Sequence, residues 1–391
     1  MKNIVYNNHI NNSSFLGRKP VFTPEEENQI LAVFFEQLLL FDYVVISTDK
    51  DNFTLTFLIR KLGVPTVEKL FRSGYIKLSI KSTFISSGTG RMLSNGSIDE
   101  NVIYGQPPLV GGTLVDEDLD PEKNIYLGLQ SFNLARNKAR ELIRVIAPYY
   151  LTTDNMDLGT SASGLVIDSY KSNLLDNLGL PYDKEPEHLS LQERKKLLEL
   201  AHSVLEMGVI SKNSFKSYNK YNTFEVAESV YNNIGKAYQI RESASQILRI
   251  ENTPDLQQIF LNNRFEISDI FKLRHLKTAK FFRNWINKVG ENQNSAEVTE
   301  AYLAEIKESK TFFNSLQGRV IKNTLLFGAS AGLGALIAGP AGALTGAAAQ
   351  PAIGLGIDYG LSLLEEFATE GLFAGKNPKM FIDKLKDEIE E

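Results

Sequence analysis

The sequence predicts a mostly α-helical chain with a small N-terminal α/β element and a C-terminal Gly/Ala-rich transmembrane helix or helical hairpin. Three observations carry that expectation. Short β-type runs are confined to the first 80 residues, helical periodicity dominates 122–318, and Asn323 to Ile357 form 35 consecutive uncharged residues. Composition sets the outer bounds. With 42 basic against 47 acidic side chains, the net charge of -5 excludes a globally basic nucleic-acid wrapper. A mean hydropathy of -0.17 excludes a polytopic membrane protein averaged over the chain. The lack of cysteine removes disulfides, thiolate metal sites and cysteine nucleophiles from consideration.

Residues 1–20 are polar and Asn-rich and read as a flexible leader with no apolar run of secretory length, which predicts cytosolic synthesis. Thr23-Pro24-Glu25-Glu26 then opens a helix: a capping threonine, proline at the first helical position and glutamate at the third. Its apolar positions run through Ile30, Phe34 and Leu38. Tyr43-Val44-Val45-Ile46 reads as a buried strand and Tyr75–Ile80 as an alternating one, with short helices near 53–62 and 66–72 between them. These elements make a small α/β domain over 21–115, closed by a loop-like stretch from Ser86 to Gly112. Helices are expected near 122–146, 165–178, 190–207, 223–248, 254–263, 267–288 and 295–318, the third opened by a capping box of Ser190 with Glu193, making 116–320 a helical regulatory or assembly domain.

The uncharged run defines a glycine-rich transmembrane segment over 321–360, followed by an amphipathic tail over 361–391. As one helix its 35 residues would reach about 50 Å, against a hydrocarbon core of about 30 Å. Gly339-Pro340 interrupts it, because proline lacks the amide donor and disfavours helical geometry before it. One kinked span and a hairpin both fit that pattern. Gly328 and Gly332, Gly342 and Gly346, and Gly356 and Gly360 are each four apart, a spacing that lets helices approach closely in lipid. Gly328, Gly332, Gly339, Gly342, Gly346 and Gly356 are the candidate packing positions of a homo-oligomer. Asp358, Glu365 and Glu366 beyond the run are candidate pore-mouth carboxylates.

Catalytic chemistry is not signalled: no metal-ligand pairing of His9, His188, His202 and His275 occurs, and no Walker or zinc motif is present. Gly159–Gly164 reads as a turn or cap, and Asp42, Asp49 and Asp51 gather around the first strand. No cofactor, metal or catalytic residue is therefore assigned. Basic faces are more informative. Lys272, Arg274, Lys277, Lys280 and Arg283 share a segment with Phe281, Trp285 and Ile286, and are candidate anion- or oligonucleotide-binding residues. Arg136, Lys138, Arg140 and Arg144 form a second cluster, and Lys216, Tyr218, Lys220 and Tyr221 a third.

A long body joined to a short glycine-rich apolar run, Asn323–Gly360, resembles the membrane-damaging effectors of bacterial anti-phage systems. The nearest likeness is to the channel effector of Hailong-type systems. That resemblance implies a channel that oligomerises in the bacterial inner membrane, restrained by a nucleotide oligomer or short single-stranded nucleic acid, with a partner protein supplying the signal. The expected function is thus a pore-forming or ion-channel effector that depolarises the cell. The alternative is a soluble helical scaffold or ligand-binding protein in which 323–357 is a buried hairpin.

Overall fold

The computed structural model describes residues 4–11, 22–87, 91–92, 98–99, 105–153, 158–213, 215–220, 247–254, 256–263, 265–275, 279–280, 283 and 321–327. More than half of these are helical, and they surround a mostly parallel sheet. Its strands are β1 (Ile4–Asn7), β2 (Tyr43–Thr48), β3 (Ile76–Lys81), β8 (Tyr150–Thr153), β9 (Lys216–Lys220), β10 (Ile247–Pro254) and β11 (Ile321–Phe327), in the order β10-β11-β9-β1-β2-β3-β8. From β9 to β8 every neighbouring pair is parallel, with Val5 opposite Val44 and Lys216, and Val44 opposite Ile76. β11 runs antiparallel to both β9 and β10. Two ribbons stand apart: β4 (Thr83–Ser86) with β7 (Val110–Thr113), and β5 (Arg91–Met92) with β6 (Ile98–Asp99).

Helices cover both faces. On one side lie α1 (Pro24–Leu40), α2 (Phe53–Arg72), α3 (Pro121–Leu129), α4 (Arg136–Ile146), α7 (Leu256–Asn263) and α8 (Ile270–Leu273). They bury Phe34, Leu38, Phe57 and Phe71 against Val44, Ile46, Leu78 and Ile80. On the other side, α5 (Leu158–Lys171) and α6 (Leu191–Lys212) pack Leu165, Val166, Leu197 and Val204 with Tyr6 and Val45. Parallel crossovers take one hand, so those that advance along the sheet share a face and the return uses the other. The route β1-α1-β2-α2-β3 and then α3-α4-β8 stays on the α1 face, whereas α5 and α6 carry the chain back to β9 beside β1.

The expected caps are present. Thr23 accepts from the Glu26 amide at 3.2 Å while Glu26 accepts from the Thr23 amide at 2.8 Å, and Ser190 with Glu193 repeats the arrangement before α6. Gly63, at φ 75, with Pro65 after it, breaks α2 between the two short helices read from the sequence.

Other expectations change. Ile4–Asn7, placed in the leader, is an interior strand, because a four-residue strand between neighbours needs only Val5 and Tyr6 for the two cores. The sheet draws strands from residue 4 to residue 327, on both sides of the boundary expected at 115. The 122–146 helix is two, α3 and α4, and Ile247–Pro254 is a strand where helix ends were expected. Ile321–Phe327, assigned to the start of the membrane segment, is β11, since a short apolar run suits an enclosed strand as well as a helix. The uncharged residues 328–357 and the expected 295–318 helix lie outside the described residues, as does most of 223–248. Among the described residues no helix is long and apolar enough to cross a membrane.

Gly159 to Gly164, read as a turn, opens α5 instead. The Gly159 amide donates to Thr83 Oγ1 at 3.0 Å, and a side chain there would strike that oxygen and the Phe84 carbonyl. Gly111 of β7 meets the Gly159–Thr160 backbone just as closely, so ribbon and helix touch main chain to main chain. Gly159→Val is expected to destabilise the fold by about 1–3 kcal/mol, read as a lower urea midpoint. Gly164→Ala, which meets nothing within 4 Å, is expected to be neutral or stabilising by up to about 1 kcal/mol.

Candidate functional site

Parallel sheets present ligand sites at the carboxyl ends of their strands, beside the point where neighbouring connections leave for opposite faces. Here that point falls between β3 and β8. The chain after β3 passes through the ribbon to α3 on the α1 face, and the chain after β8 enters α5 on the other. β2 lies next to β3, and its loop to α2, Thr48-Asp49-Lys50-Asp51-Asn52, forms the polar centre of this edge.

The loop is tightly wound. Asn52 sits in the left-handed region at φ 48 and caps α2, its Oδ1 accepting from the Leu55 amide at 3.1 Å and from Thr48 Oγ1 at 2.9 Å. Asp49 Oδ1 accepts from the Phe53 amide at 3.1 Å. Thr54 Oγ1 donates to the Ser47 carbonyl at 2.7 Å and Thr56 Oγ1 to the Gly128 carbonyl at 2.9 Å, which fixes the loop to β2 and α3. Gly128 leaves no room for a side chain: a Cβ would lie 2.9 Å from the Asn52 carbonyl. Tyr150, at the start of β8, donates to Asn124 Oδ1 at 3.2 Å, and Asn124 donates to the carbonyls of Asp118 and Asp120.

Burial, and then the nearby Asp51 charge, raise the Asp49 carboxyl above the usual carboxylate range, against the lowering effect of the Phe53 amide. Burial and the Asp49 charge push the Tyr150 hydroxyl far above its ordinary value, so it stays a donor. Asn52 Nδ2 and Ser79 Oγ are buried without a partner. The edge thus offers a half-buried carboxyl, an exposed Lys50 and Asp51, and unspent amide and hydroxyl groups, a set suited to recognising a small polar ligand. Asp42 does not join it. It precedes β2, about 20 Å away along six residues of strand, so the three aspartates read together from the sequence are split between the two ends of β2. Among the described residues no group of three His, Asp or Glu side chains is placed to hold a metal ion.

Two of the five basic residues singled out in the sequence are buried. Arg274 is buried and donates to the carbonyls of Leu38, Phe41 (2.8 Å) and Asp42 (2.7 Å), with its guanidinium 4.1 Å from the Tyr75 ring centre. Arg283, also buried, donates to the Leu39 carbonyl at 3.4 Å and the Arg274 carbonyl at 3.0 Å. Burial, followed by the Arg283 charge, brings Arg274 down to about 10, still a cation at neutral pH. These two arginines close the carbonyl end of α1 and are not on an exposed anion-binding face. Lys272 and Lys280 remain exposed, and Lys277 lies outside the described residues.

In the second cluster Lys138 is held by Glu68 at 2.8 Å and Glu141 at 3.1 Å, while Arg136, Arg140 and Arg144 are exposed along one face of α4. Lys216, Tyr218 and Lys220 lie in β9, between β1 and β11. The candidate packing glycines Gly328, Gly332, Gly339, Gly342, Gly346 and Gly356, and the carboxylates Asp358, Glu365 and Glu366, lie outside the described residues.

Sequence reasoning missed Thr48, Asn52, Asn124 and Tyr150. The first two had a signal: a Thr/Asp/Asn loop between an apolar strand and an apolar helix is a strand-to-helix turn with its cap. The last two are brought in by α3 and β8 and had none. No family model matches the chain, and no curated protein or solved structure matches it.

Two outcomes test this geometry. A raised carboxyl means the native state binds more protons than the unfolded chain above the ordinary aspartate range, so stability falls as pH rises through that window. Asp49→Asn, which keeps an oxygen for the Phe53 amide, is expected to flatten that slope and to stabilise the protein at neutral pH in urea titrations. Arg274→Ala is expected to cost about 2–4 kcal/mol by stranding buried carbonyls, with Arg274→Lys recovering only part.

Proposed function

We propose that the chain is a membrane effector: a helix–sheet–helix body fused through β11 to an apolar segment that oligomerises in a bilayer as a pore or ion channel. The observation that carries this reading is the position of β11. It is enclosed between β9 and β10, and the 30 uncharged residues 328–357 follow it directly. As helix, those residues would reach about 45 Å, enough for one tilted or kinked span. An arm ending before Gly339-Pro340 would have only 11 residues, about 16 Å, so removing β11 from the segment favours a single span over a hairpin. The glycines at spacing four, including Gly328 with Gly332 and Gly342 with Gly346, would pack the helices of neighbouring copies. The polar carboxyl edge around Asp49 and Asn52 would take the controlling small ligand, a nucleotide being one that its donors and acceptors suit. In a bacterial host the active form would sit in the inner membrane.

Membrane fractionation with an alkaline wash tests the reading, and β11 decides where to cut. Full-length protein is expected to stay in washed membranes, and a chain ending at Phe327 to be soluble and folded. A chain ending at residue 320 loses a strand that bridges β9 and β10 and is expected to be markedly less stable than the one ending at Phe327. Full-length protein that washes off, together with a Phe327-terminated chain that unfolds, would instead identify 328–357 as part of a soluble core.

A further inference from the structure

The two ends of the parallel strands differ in charge on the α1 side of the sheet. At the carboxyl ends the exposed groups among the described residues are largely acidic: Glu25, Asp51, Glu117, Asp120 and Glu122, with Lys50 and Lys123 among them. At the amino ends the exposed groups among the described residues include Lys69 and Arg72 closing α2, Arg144 in the last turn of α4, and Lys272 and Lys280 in the segment held over α1, with Glu68 and Glu141 paired to Arg72. These elements meet there. Phe71 and Tyr149 pack at 6.1 Å, Arg72 reaches Glu141 at 3.4 Å, and Lys69 lies 4.1 Å over the Phe271 ring.

β11 runs toward the same edge. Because β11 runs antiparallel to β9, Phe327 is level with Ser217, then through β9 and β1 with Tyr6, and through β2 and β3 with Val45 and Lys77. β11 therefore runs toward the amino ends, and the uncharged residues from Gly328 on follow it in sequence. β11 stands three strands from β2, about 14 Å across the sheet. A patch of cations beside the point where an apolar segment leaves a folded body is complementary to an anionic lipid surface.

We propose that the amino edge of the sheet, through Lys69, Arg72, Arg144, Lys272 and Lys280, docks the body on an anionic bilayer. This rests on the membrane reading for the choice of lipid as occupant, but it concerns a different surface and fails separately. The body stands with its strands end-on to the lipid, and its acidic carboxyl edge, with the polar loop of Asp49 and Asn52, faces away into water. Each basic group near an anionic leaflet strengthens binding by roughly five-fold, and salt weakens the effect.

The test is co-sedimentation of the full chain with phosphatidylcholine vesicles, with and without phosphatidylglycerol, followed by an alkaline wash. The preference for phosphatidylglycerol is expected to drop by roughly 25-fold in Arg144→Gln/Lys280→Gln, and by more in Arg144→Glu/Lys280→Glu. Both variants should unfold at the wild-type urea midpoint, since the replaced side chains are exposed. Glu117→Lys/Glu122→Lys at the opposite edge should keep the wild-type preference. Alkali-resistant binding without a phosphatidylglycerol preference, or with one that the Arg144 and Lys280 variants retain, overturns the docking surface and leaves the membrane segment standing. Variant-sensitive binding to phosphatidylglycerol vesicles that washes off entirely supports the docking surface and overturns insertion. If the variants instead lose affinity only for a single-stranded oligonucleotide, the edge is a nucleic-acid surface and the proposal falls.

Discussion

The carbonyl end of α1 is the constraint around which the amino edge is built. An α-helix leaves its last four carbonyls without intrahelical donors. Here that end is pressed into the core, and its last turn holds no basic residue. Donors come from more than 230 residues away, where Arg274 and Arg283 supply rigid, always-charged forks to four carbonyls of Leu38–Asp42. Gln257, hydrogen-bonded to Glu36 at 2.6 Å and to Gln29 at 3.0 Å, extends the attachment along α1, and Phe260 and Phe265 pack on Phe35. The C-terminal third of the body is thereby held to the N-terminal helix by polar contacts that no local sequence could supply.

That attachment gives the two ends of the sheet separate characters. At the carboxyl ends, short loops and the ribbon bring together unspent polar groups, and the close approach of Gly111 to the Gly159–Thr160 backbone leaves little freedom for the ribbon to shift. At the amino ends, helices terminate, arginine side chains replace missing donors, and β11 runs toward this edge. Five parallel strands connect the two ends, with their apolar side chains packed into both cores. A disturbance at one end reaches the other only through close-packed side chains with few alternative arrangements.

Much of the first 80 residues was legible from local signals. Thr23-Pro24-Glu25-Glu26 and Ser190 with Glu193 announced caps that the structure forms, and β2 and β3 stood out because their alternation and β-branched residues serve enclosed strands. The remainder depended on tertiary context. β1 hides in an Asn-rich stretch with two core side chains to reveal it. β9, Lys-Ser-Tyr-Asn-Lys, alternates between basic or aromatic and small polar residues, a pattern read as a surface cluster although the strand is interior. Arg274 and Arg283 look like their exposed neighbours Lys272 and Lys280, and only the distant carbonyls of α1 distinguish them. At the candidate site, Asp49 and Asp51 were visible as a pair, but strand direction alone determines that Asp42 belongs to the opposite edge.

The late position of β11 in the chain also orders events during synthesis. β1 is made first yet finds β9 only after 216 residues, and the sheet gains its bridge between β9 and β10 only when 321–327 have been made. Non-local pairings of this kind close slowly, because their loop entropy precedes any reward. The uncharged residues follow at once, and at about 5–20 residues per second the whole run takes roughly 1.5–6 s to translate. The body therefore has only seconds between receiving β11 and carrying a fully synthesised apolar run, so closure of the sheet and release of that run from the ribosome fall in the same kinetic window.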